Sequence, residues 1–279
     1  LFQGIGKIMN LHKKLDSTKT SVMNYIDIHA HILPGVDDGP SSWQESIEIA
    51  QHLCSQGVSR VLATPHVMFR NFSSNFNIPQ LCTMLNDKIR QRGIDLEVIP
   101  GAELYIEPFY KFDQSFYGNF TMGDSKYLLI EFSLNSKPHN WEEFRFQAEL
   151  SGYNLIIAHP ERYHGVNLDW MEMVAAQGTY LQANAASFLG HYGKIAKQLA
   201  FRGIVKNLFQ FIASDIHNIT TRKSYFSNLD ELLSEQKIKQ LCSTNPDLLL
   251  KNQDIPIKPS FEESSFNNSI IGSLKNLLS

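Results

Sequence analysis

Residues 25–64 read YIDIHAHILPGVDDGPSSWQESIEIAQHLCSQGVSRVLAT. Their pattern predicts a strand, a helix and a second strand. The apolar runs at the two ends predict buried strands. Between them, Ser42 and Glu45 have the spacing of a capping box, an apolar helical stripe follows, and Gly57 stands where a helix would end. Such a unit predicts parallel strands joined by a right-handed helical crossover.

The same unit recurs along the chain. Short aliphatic and β-branched runs alternate with helical patterns, and glycines, including Gly203, are predicted to end those helices. Seven units over about 190 residues favour an α/β fold with a closed or nearly closed barrel over an open sheet. The predicted strands are 25–28, 60–64, 96–100, 127–131, 154–158, 179–183 and 211–214.

Domain organisation follows from composition. One domain is predicted over residues 25–250, in which Asn245 and Pro246 begin a last helix. Residues 1–24 are predicted to be an N-terminal extension, flexible or a docked helix, and to begin with the remnant of an expression tag. Residues 251–279 form a predicted C-terminal tail, which is loose over 252–269 and ends in a weakly amphipathic stretch, 270–278, that is either a docked helix or without structure.

Charge and cysteine usage exclude several classes of protein. The formal net charge of −3 gives no reason to expect a nucleic-acid partner. No run approaches the roughly 18 apolar residues of a membrane span, so stable membrane insertion is not expected. Cys54, Cys82 and Cys242 are far apart and include no CxxC pair, which favours a reducing compartment and a cytoplasmic location.

Side chains of metal-ligand type follow six of the seven predicted strands, and only the strand that ends near Asn184 contributes none. The carboxyl ends of barrel strands converge on one mouth, so these side chains are expected to meet. Five imidazoles and four carboxylates are too many for one tetrahedral zinc and predict two or three ions; Mn, Fe or Zn suits the N/O ligands. The nine are His29, His31, Asp38, His66, Glu103, Glu131, His159, Asp215 and His217.

An anionic substrate is expected at this site. Four carboxylates facing three divalent ions leave a local charge of +2, which a phosphate dianion would neutralise. Arg162 and Arg222 follow His159 and His217 on loops of the same face, where they could clamp phosphate oxygens in bidentate fashion. Two metal ions about 3.5–4 Å apart can hold a bridging hydroxide as a nucleophile.

Seven motifs carry a resemblance to a known family: DIHAH at 27–31, GVDDG at 35–39, TPH at 64–66, GAE at 101–103, IEF at 130–132, AHPERY at 158–163 and ASDIHN at 213–218. In these motifs and their order the chain resembles the polymerase and histidinol phosphatase (PHP) superfamily. Within it, the chain is most similar to the CpsB/YwqE type of bacterial manganese-dependent protein-tyrosine phosphatase, which is linked to capsule and exopolysaccharide synthesis.

The resemblance implies a distorted (β/α)7 barrel with three metal ions, most readily manganese, and with the active site at the C-terminal ends of the strands. It also implies that Arg162 and Arg222 contact the phosphate. The implied ligands are His29, His31, Glu103 and Asp215 for the first ion, Glu103 as a bridge with Glu131 and His159 for the second, and Asp38, His66 and His217 for the third.

The implied reaction is phosphotyrosine hydrolysis by a metal-bound hydroxide, with a metal-bound water or His217 protonating the leaving group. Phe69 either forms an aromatic wall for the tyrosine ring or packs its own loop. The implied partner is an autophosphorylating bacterial tyrosine kinase. Three alternatives stay open: the same site acting on a metabolite such as histidinol phosphate, an amidohydrolase, which would need a lysine where Glu103 stands, and a non-catalytic metal-containing binding module.

Overall fold

A computed structural model describes residues 24–69 and 77–257 of the chain. In these two ranges it has nine strands, and every strand pair is parallel. The strands are β1 (Tyr25–Ala30), β2 (Val58–Ala63), β3 (His66–Met68), β4 (Glu97–Pro100), β5 (Glu103–Tyr105), β6 (Tyr127–Glu131), β7 (Asn154–Ala158), β8 (Tyr180–Asn184) and β9 (Phe211–Ala213).

The nine strands occupy the seven predicted positions because two positions are interrupted. β3 continues β2 after Pro65, which has no N–H to donate, and β5 continues β4. Hydrogen bonds cross both gaps: the Gly101 N–H donates to the Ala63 carbonyl, and the Glu103 N–H donates to the Pro65 carbonyl, both at 3.0 Å. Each interruption places a ligand-type residue first in the next strand, and these two, His66 and Glu103, are paired in register.

The barrel closes between its last and first strands. The two sheets run in the orders β1-β2-β4 and β3-β5-β6-β7-β8-β9. Beyond β9, the Asp215 N–H donates to the His29 carbonyl and the His31 N–H donates to the Ile216 carbonyl, both at 2.9 Å. The predicted α/β barrel is therefore confirmed, and so is its closure, which periodicity left open.

A bulge in β1 turns its two histidines into the barrel. Ile26 and Ile28 belong to the inner core, so strict alternation would point His29 outward. The pairing of β1 with β2 shifts register between Asp27 and Ala30, and such a bulge re-aims the side chains beyond it. His29 and His31 consequently lie on the same inner face.

Helices cover the outside of the barrel and bury the larger of two apolar clusters against the strands. Ser42 caps the first helix, Trp43–Ser55, because its hydroxyl accepts from the Glu45 N–H at 3.3 Å. The Glu45 carboxylate accepts from the Ser41 N–H, one residue before the predicted partner. The helices are α1 (Trp43–Ser55), α2 (Ile78–Arg90), α3 (Gln114–Tyr117), α4 (Glu142–Leu150), α5 (Leu168–Ala176), α6 (Ala185–Leu189), α7 (Gly193–Val205), α8 (Glu235–Lys239) and α9 (Asn245–Leu250).

One predicted helix end, at Gly203, is wrong, and one predicted helix start, at Asn245, differs from the prediction in its capping. Gly203 lies inside α7, where an added Cβ would stand 2.3 Å from the Phe209 ring, so this glycine permits close packing; Asn207, with φ +53°, follows the helix end. α9 begins at Asn245 and ends at Leu250, as predicted, but Asn245 has helical backbone angles and is the first residue of α9, not its N-cap. A π-helical turn, Gln240–Thr244, joins α8 directly to α9 just before Pro246, which cannot donate a helical hydrogen bond.

The start of the predicted loose tail packs on the barrel. Ile255 is 3% exposed and belongs to the inner apolar cluster. The hydroxyls of Tyr127 and Tyr180 donate to the carbonyls of Gln253 and Ile255, at 2.7 and 3.2 Å. Residues 252–257 therefore pack on the barrel, whereas the predicted tail from 258 onward and residues 1–23 of the extension lie outside the described residues. Within the described ranges, no helix combines the length and apolar character that a membrane crossing requires.

Candidate metal centre

Four donor atoms from three strand ends converge at the mouth of the barrel. The Nε2 atoms of His29 and His31 are 3.2 Å apart. Glu103 Oε2 lies 3.2 and 3.3 Å from these nitrogens, and Asp215 Oδ1 lies 3.5 and 3.4 Å from them. Donors around one tetrahedral ion stand about 3.3–3.6 Å apart when the metal–donor distance is about 2.0–2.2 Å. The four atoms therefore fit one cation.

The outer ring nitrogens of these two histidines are already engaged. His31 Nδ1 donates to Asp37 Oδ2 at 2.6 Å, because a carboxylate can only accept. His29 Nδ1 donates to Gln182 Oε1 at 2.9 Å, and the Gln182 amide nitrogen is committed to the Ala183 carbonyl. The two Nε2 atoms are therefore unprotonated and face the cluster. Metal-binding histidines are commonly oriented in this way by a hydrogen bond from the other ring nitrogen.

Glu103 stands between two groups of donors. It is fully buried, and its Oε2 faces the two Nε2 atoms already described and also His66 Nδ1, at 3.1 Å. Its Oε1 lies 3.1 Å from His159 Nε2. Glu131 Oε1 lies 3.0 Å from His66 Nδ1 and Oε2 lies 4.0 Å from His159 Nε2. A carboxylate with its two oxygens in two groups has the arrangement of a bridging ligand.

A third group forms around Asp38. Asp38 Oδ1 lies 3.1 Å from His217 Nε2 and 3.5 Å from His66 Nε2. His217 Nδ1 donates to the Asp215 carbonyl at 3.0 Å, which again leaves Nε2 toward the cluster. The ring of His66 therefore lies between the second and third groups, one nitrogen toward each. The resemblance had implied only its membership of the third.

Several buried atoms at the site lie close to one another without forming hydrogen bonds. His66 Nδ1, Glu103 Oε2 and His217 Nε2 have no hydrogen-bond partner, although each has a charged or ring atom within 3.5 Å. Buried polar atoms are nearly always paired, and unpaired ones are costly. Cations bound in the separate donor groups would satisfy these atoms, so this donor set fits bound divalent metal.

The ionisable groups strongly shift each other's pKa. Burial opposes the charged form of His31, but hydrogen bonds to Asp215, Asp37 and Glu103 raise its pKa well above the usual value. Burial also opposes ionisation of Asp215, yet the neighbouring histidines and Arg162 hold its pKa well below the usual value. Protons and metal ions compete for the same atoms, so such a cluster in a cleft is typical of a metal or catalytic site.

Both predicted arginines lie at this cavity, ion-paired to predicted ligands. Arg162 Nη1 donates to Asp215 Oδ2 at 2.5 Å, and its guanidinium lies 4.0 Å from the centre of the Tyr192 ring. Arg222 donates to Asp38 Oδ2 at 3.0 Å through Nη1 and to both Asp215 oxygens at 3.2 Å through Nη2. Asp215 therefore holds both guanidinium groups at the cavity, and Asp38 also holds that of Arg222.

The groups open into a cavity of 340 Å³. The structure does not bring Phe69 to it: the Phe69 ring packs edge-on against Phe116 at 4.8 Å and stacks on Tyr117 at 5.9 Å. The described lining residues are Asp38, His66, Glu103, Tyr105, Glu131, Phe132, Ser133, Leu134, Asn135, His159, Arg162, Asp215 and Arg222.

Sequence reasoning missed the contribution of the sixth barrel position. The amide of Asn184 donates to Asp215 Oδ2 at 3.1 Å, and Gln182 orients His29 as described. Both residues are polar, two positions apart and at the end of an apolar strand. That is the same signal that identified His29 and His31, and it was overlooked because amides are weak metal ligands.

The fold and this donor set define a metal-binding parallel (β/α) barrel, with His, Asp and Glu groups able to hold metal ions at the carboxyl ends of its strands. The family model for capsular polysaccharide synthesis, CpsB/CapC, matches residues 25–251. The chain belongs to that family.

Named relatives agree with this assignment. The tyrosine-protein phosphatase YwqE of Bacillus subtilis is 32% identical over 242 residues, which are 84% of this chain and 94% of YwqE. The tyrosine-protein phosphatase CpsB of Streptococcus pneumoniae is 28% identical, over 82% of this chain and 99% of CpsB. A solved structure from work on YwqE and CpsB, described as unique metal-dependent tyrosine phosphatases, matches with a TM-score of 0.74 at 30% identity. It covers 85% of this chain and 99% of that one.

Proposed function

We propose that this protein is a metal-dependent protein-tyrosine phosphatase, a phosphomonoesterase that acts on phosphotyrosine in a protein. The observation that carries the proposal is the convergence of nine metal-ligand side chains at the mouth of the barrel, beside a cavity that six of them and two arginines line. Relatives that align with most of the chain are named tyrosine-protein phosphatases, which supports the same activity here.

The nine side chains divide among three divalent ions, with manganese favoured over iron or zinc. Divalent ions bound there would lower the pKa of a water molecule and neutralise phosphoryl charge. The first site takes His29, His31, Glu103 and Asp215, the second Glu103, Glu131 and His159, and the third Asp38, His66 and His217. His66 has one ring nitrogen toward each of the last two groups, so it could serve either.

The residues of the chain bind and orient the phosphate. Arg162 and Arg222 carry fixed positive charges at the cavity and present planar sets of donors to phosphoryl oxygens. Their ion pairs with Asp215 and Asp38 hold both guanidinium groups in place before substrate arrives. A pre-oriented clamp loses less side-chain entropy when phosphate binds.

His217 suits a ligand better than a proton donor. Its Nδ1 donates to a backbone carbonyl, and its Nε2 is directed at Asp38 in the buried cluster. Burial and the neighbouring His31 lower the pKa of His217, which favours a neutral ring. A phenolate is a good leaving group, so its departure does not depend on a strong general acid.

The biological setting is proposed on coarser grounds. We infer a role in capsular or exopolysaccharide synthesis, on the family membership of the chain, with an autophosphorylating bacterial tyrosine kinase as the phosphoprotein substrate. Residues 25–250 would be the phosphatase barrel, with segments 1–24 and 251–279 flanking it. The free thiols of Cys54, Cys82 and Cys242 are compatible with a cytoplasmic enzyme.

The deciding experiment is a substrate panel on protein that is first treated with chelator and then resupplied with manganese. We expect chelation to abolish hydrolysis of phosphotyrosine peptides and p-nitrophenyl phosphate, and manganese to restore it. If the protein hydrolyses histidinol phosphate but no phosphotyrosine peptide, it is the metabolite enzyme. If it binds manganese fully but hydrolyses no substrate, it is a binding module.

A pair of arginine variants tests the phosphate clamp. Arg162→Ala should lower kcat/KM for phosphotyrosine peptide by roughly 100-fold, the order expected for losing a charged contact to the reacting group. Arg90→Ala is the matched control, because Arg90 is an exposed arginine that pairs with Asp87 on a helix away from the cavity. Equal activity of the two variants would contradict the proposed role of Arg162.

A further inference from the structure

One side of the cavity differs chemically from the rest. Most of its lining is charged, but five residues are neither ligand-type nor arginine. They come from the end of β5 and from the loop that follows β6, which are neighbouring barrel positions. These five residues, called here the aryl wall, are Tyr105, Phe132, Ser133, Leu134 and Asn135.

The position of Tyr105 follows from strand geometry. Tyr105 is two residues after Glu103 on the same strand, so both side chains point into the mouth. Two residues of strand rise about 6.6 Å, so Tyr105 lies that much nearer the rim than the buried carboxylate. Tyr105 is paired in register with Glu131, and it is half-buried. Tyr105 therefore lies beside Glu131 of the second ligand group, and both line the cavity.

The rest of the wall is held in place by packing and by the backbone. Phe132 is buried, with its ring edge-on to Trp141 at 5.3 Å and to Tyr163 at 6.0 Å. Leu134 follows in the loop, and its carbonyl accepts from the His164 N–H at 2.9 Å. Leu134 remains 37% exposed although it lines a polar cavity.

The aryl wall lies across the mouth from Arg222. It belongs to the third and fourth barrel positions, whereas Arg222 follows the seventh, and closure of the barrel places these positions on opposite sides of one opening. Arg162 follows the fifth position, beside the wall, on the loop whose His164 N–H donates to the Leu134 carbonyl. A phosphate held between the arginines and the ligand groups has charged surroundings on one side. Its ester oxygen can carry a flat apolar group along the other side.

We propose that Tyr105 and Leu134 bind the aromatic ring of the phosphotyrosine side chain and so select aryl over alkyl phosphate esters. The inference rests on the proposed phosphatase function. The substrate ring would be stabilised by edge-on or offset contact with the ring of Tyr105. It would also bury apolar surface of the exposed Leu134 side chain, which is favourable. A short alkyl phosphate reaches the arginines equally well but leaves both side chains in water. Phe69 has no part in this subsite.

The test compares Tyr105→Ala and Leu134→Ala with Tyr105→Phe and with the control Phe69→Ala, all supplied with manganese. Each alanine variant of the wall should lower kcat/KM for a phosphotyrosine peptide about tenfold through a higher KM, since an aromatic contact and its buried area are lost. Tyr105→Phe should retain at least half of the activity, because the ring and not the hydroxyl is required. Phe69→Ala should remain within about twofold of the wild type.

Inhibition by inorganic phosphate and by glycerol 2-phosphate separates this role from support of the fold. Both inhibition constants should stay unchanged in Tyr105→Ala and Leu134→Ala, because neither inhibitor has an aryl group. Parallel weakening of inhibition would overturn the inference, as would unchanged peptide kinetics in both wall variants. A wild-type protein that hydrolyses no phosphotyrosine would instead refute the proposed function itself, and the subsite with it.

Discussion

Replacing Asp37 by asparagine tests how the centre keeps His31 ready for a metal ion. The Asp37 carboxylate accepts three hydrogen bonds, from His31 Nδ1 at 2.6 Å, the Gly39 N–H at 3.0 Å and the His66 N–H at 3.1 Å. Burial raises the pKa of Asp37, but the hydrogen bond and charge of His31 together with the hydrogen bonds from the Gly39 and His66 N–H groups outweigh burial and lower it, which favours the anion. An asparagine side chain at this position would offer one oxygen, no charge and an NH2 group that can only donate.

Either orientation of the new amide has a cost. With its oxygen toward His31, the NH2 group opposes the Gly39 N–H, and an unpaired donor costs about 1–3 kcal/mol. With its NH2 toward His31, the amide donates to Nδ1 and moves the ring proton to Nε2, the atom that faces Glu103 and Asp215. Loss of such a ligand-orienting partner typically weakens metal affinity about 10–100-fold.

Titration calorimetry of chelator-treated protein with manganese measures this change. We expect Asp37→Asn to bind manganese at least tenfold more weakly than the wild type. Asp113→Asn is the matched control, because Asp113 caps α3 through the Ser115 N–H and lies outside the cavity lining. A correctly folded Asp37→Asn protein with wild-type manganese affinity would refute the argument.

Three stability predictions follow from packing, each measured by urea denaturation. Tyr163→Phe should cost about 1–3 kcal/mol, because the Phe132 N–H loses its acceptor in the interior; an unchanged midpoint would show that water replaces the hydroxyl. Gly203→Ala should destabilise the fold by about 1–3 kcal/mol, because the new methyl group would overlap with the buried Phe209 ring. Helix propensity alone would stabilise it by about 1 kcal/mol, so a rise in the free energy of unfolding would contradict the packing argument. Ile255→Ala should cost about 2–4 kcal/mol, and no cost would mean that residues 252–257 are loose after all.

The sequence revealed more of the metal centre than of its substrate side. His29 and His31 were detectable because two ligand-type residues at a period of two follow an apolar run, and the same logic applied to Glu103 and His159. Tyr105 carried no comparable signal, because an aromatic residue after a strand is usually part of the core. The ring-binding role proposed for Tyr105 also needs Leu134, which is distant in sequence and follows the strand at a neighbouring barrel position.

Errors in helix ends have a similar origin. Gly203 was expected to end a helix because glycine commonly does so, yet the Phe209 ring occupies the space that a side chain would need. Asn245 followed by Pro246 has the pattern of a helix start, and α9 does begin at Asn245, but the Asn245 side chain does not cap it. Its amide donates to the Gln210 carbonyl instead, and a π-helical turn leads directly into α9. In both cases a tertiary contact overrode a local preference.

The sequence by itself determined the alternation of strands and helices and the presence of a ligand-type residue at most strand ends. These features depend on local periodicity, capping and chain reversal, which neighbouring residues specify. Only the tertiary structure decided that the barrel closes from Asp215 to His29 and that His66 stands between two ligand groups. It also decided that Tyr105 lines the cavity, whereas Phe69 packs against Phe116 and Tyr117. Those outcomes depend on strand register, a bulge and the packing of loops distant in sequence, so no local pattern specifies them.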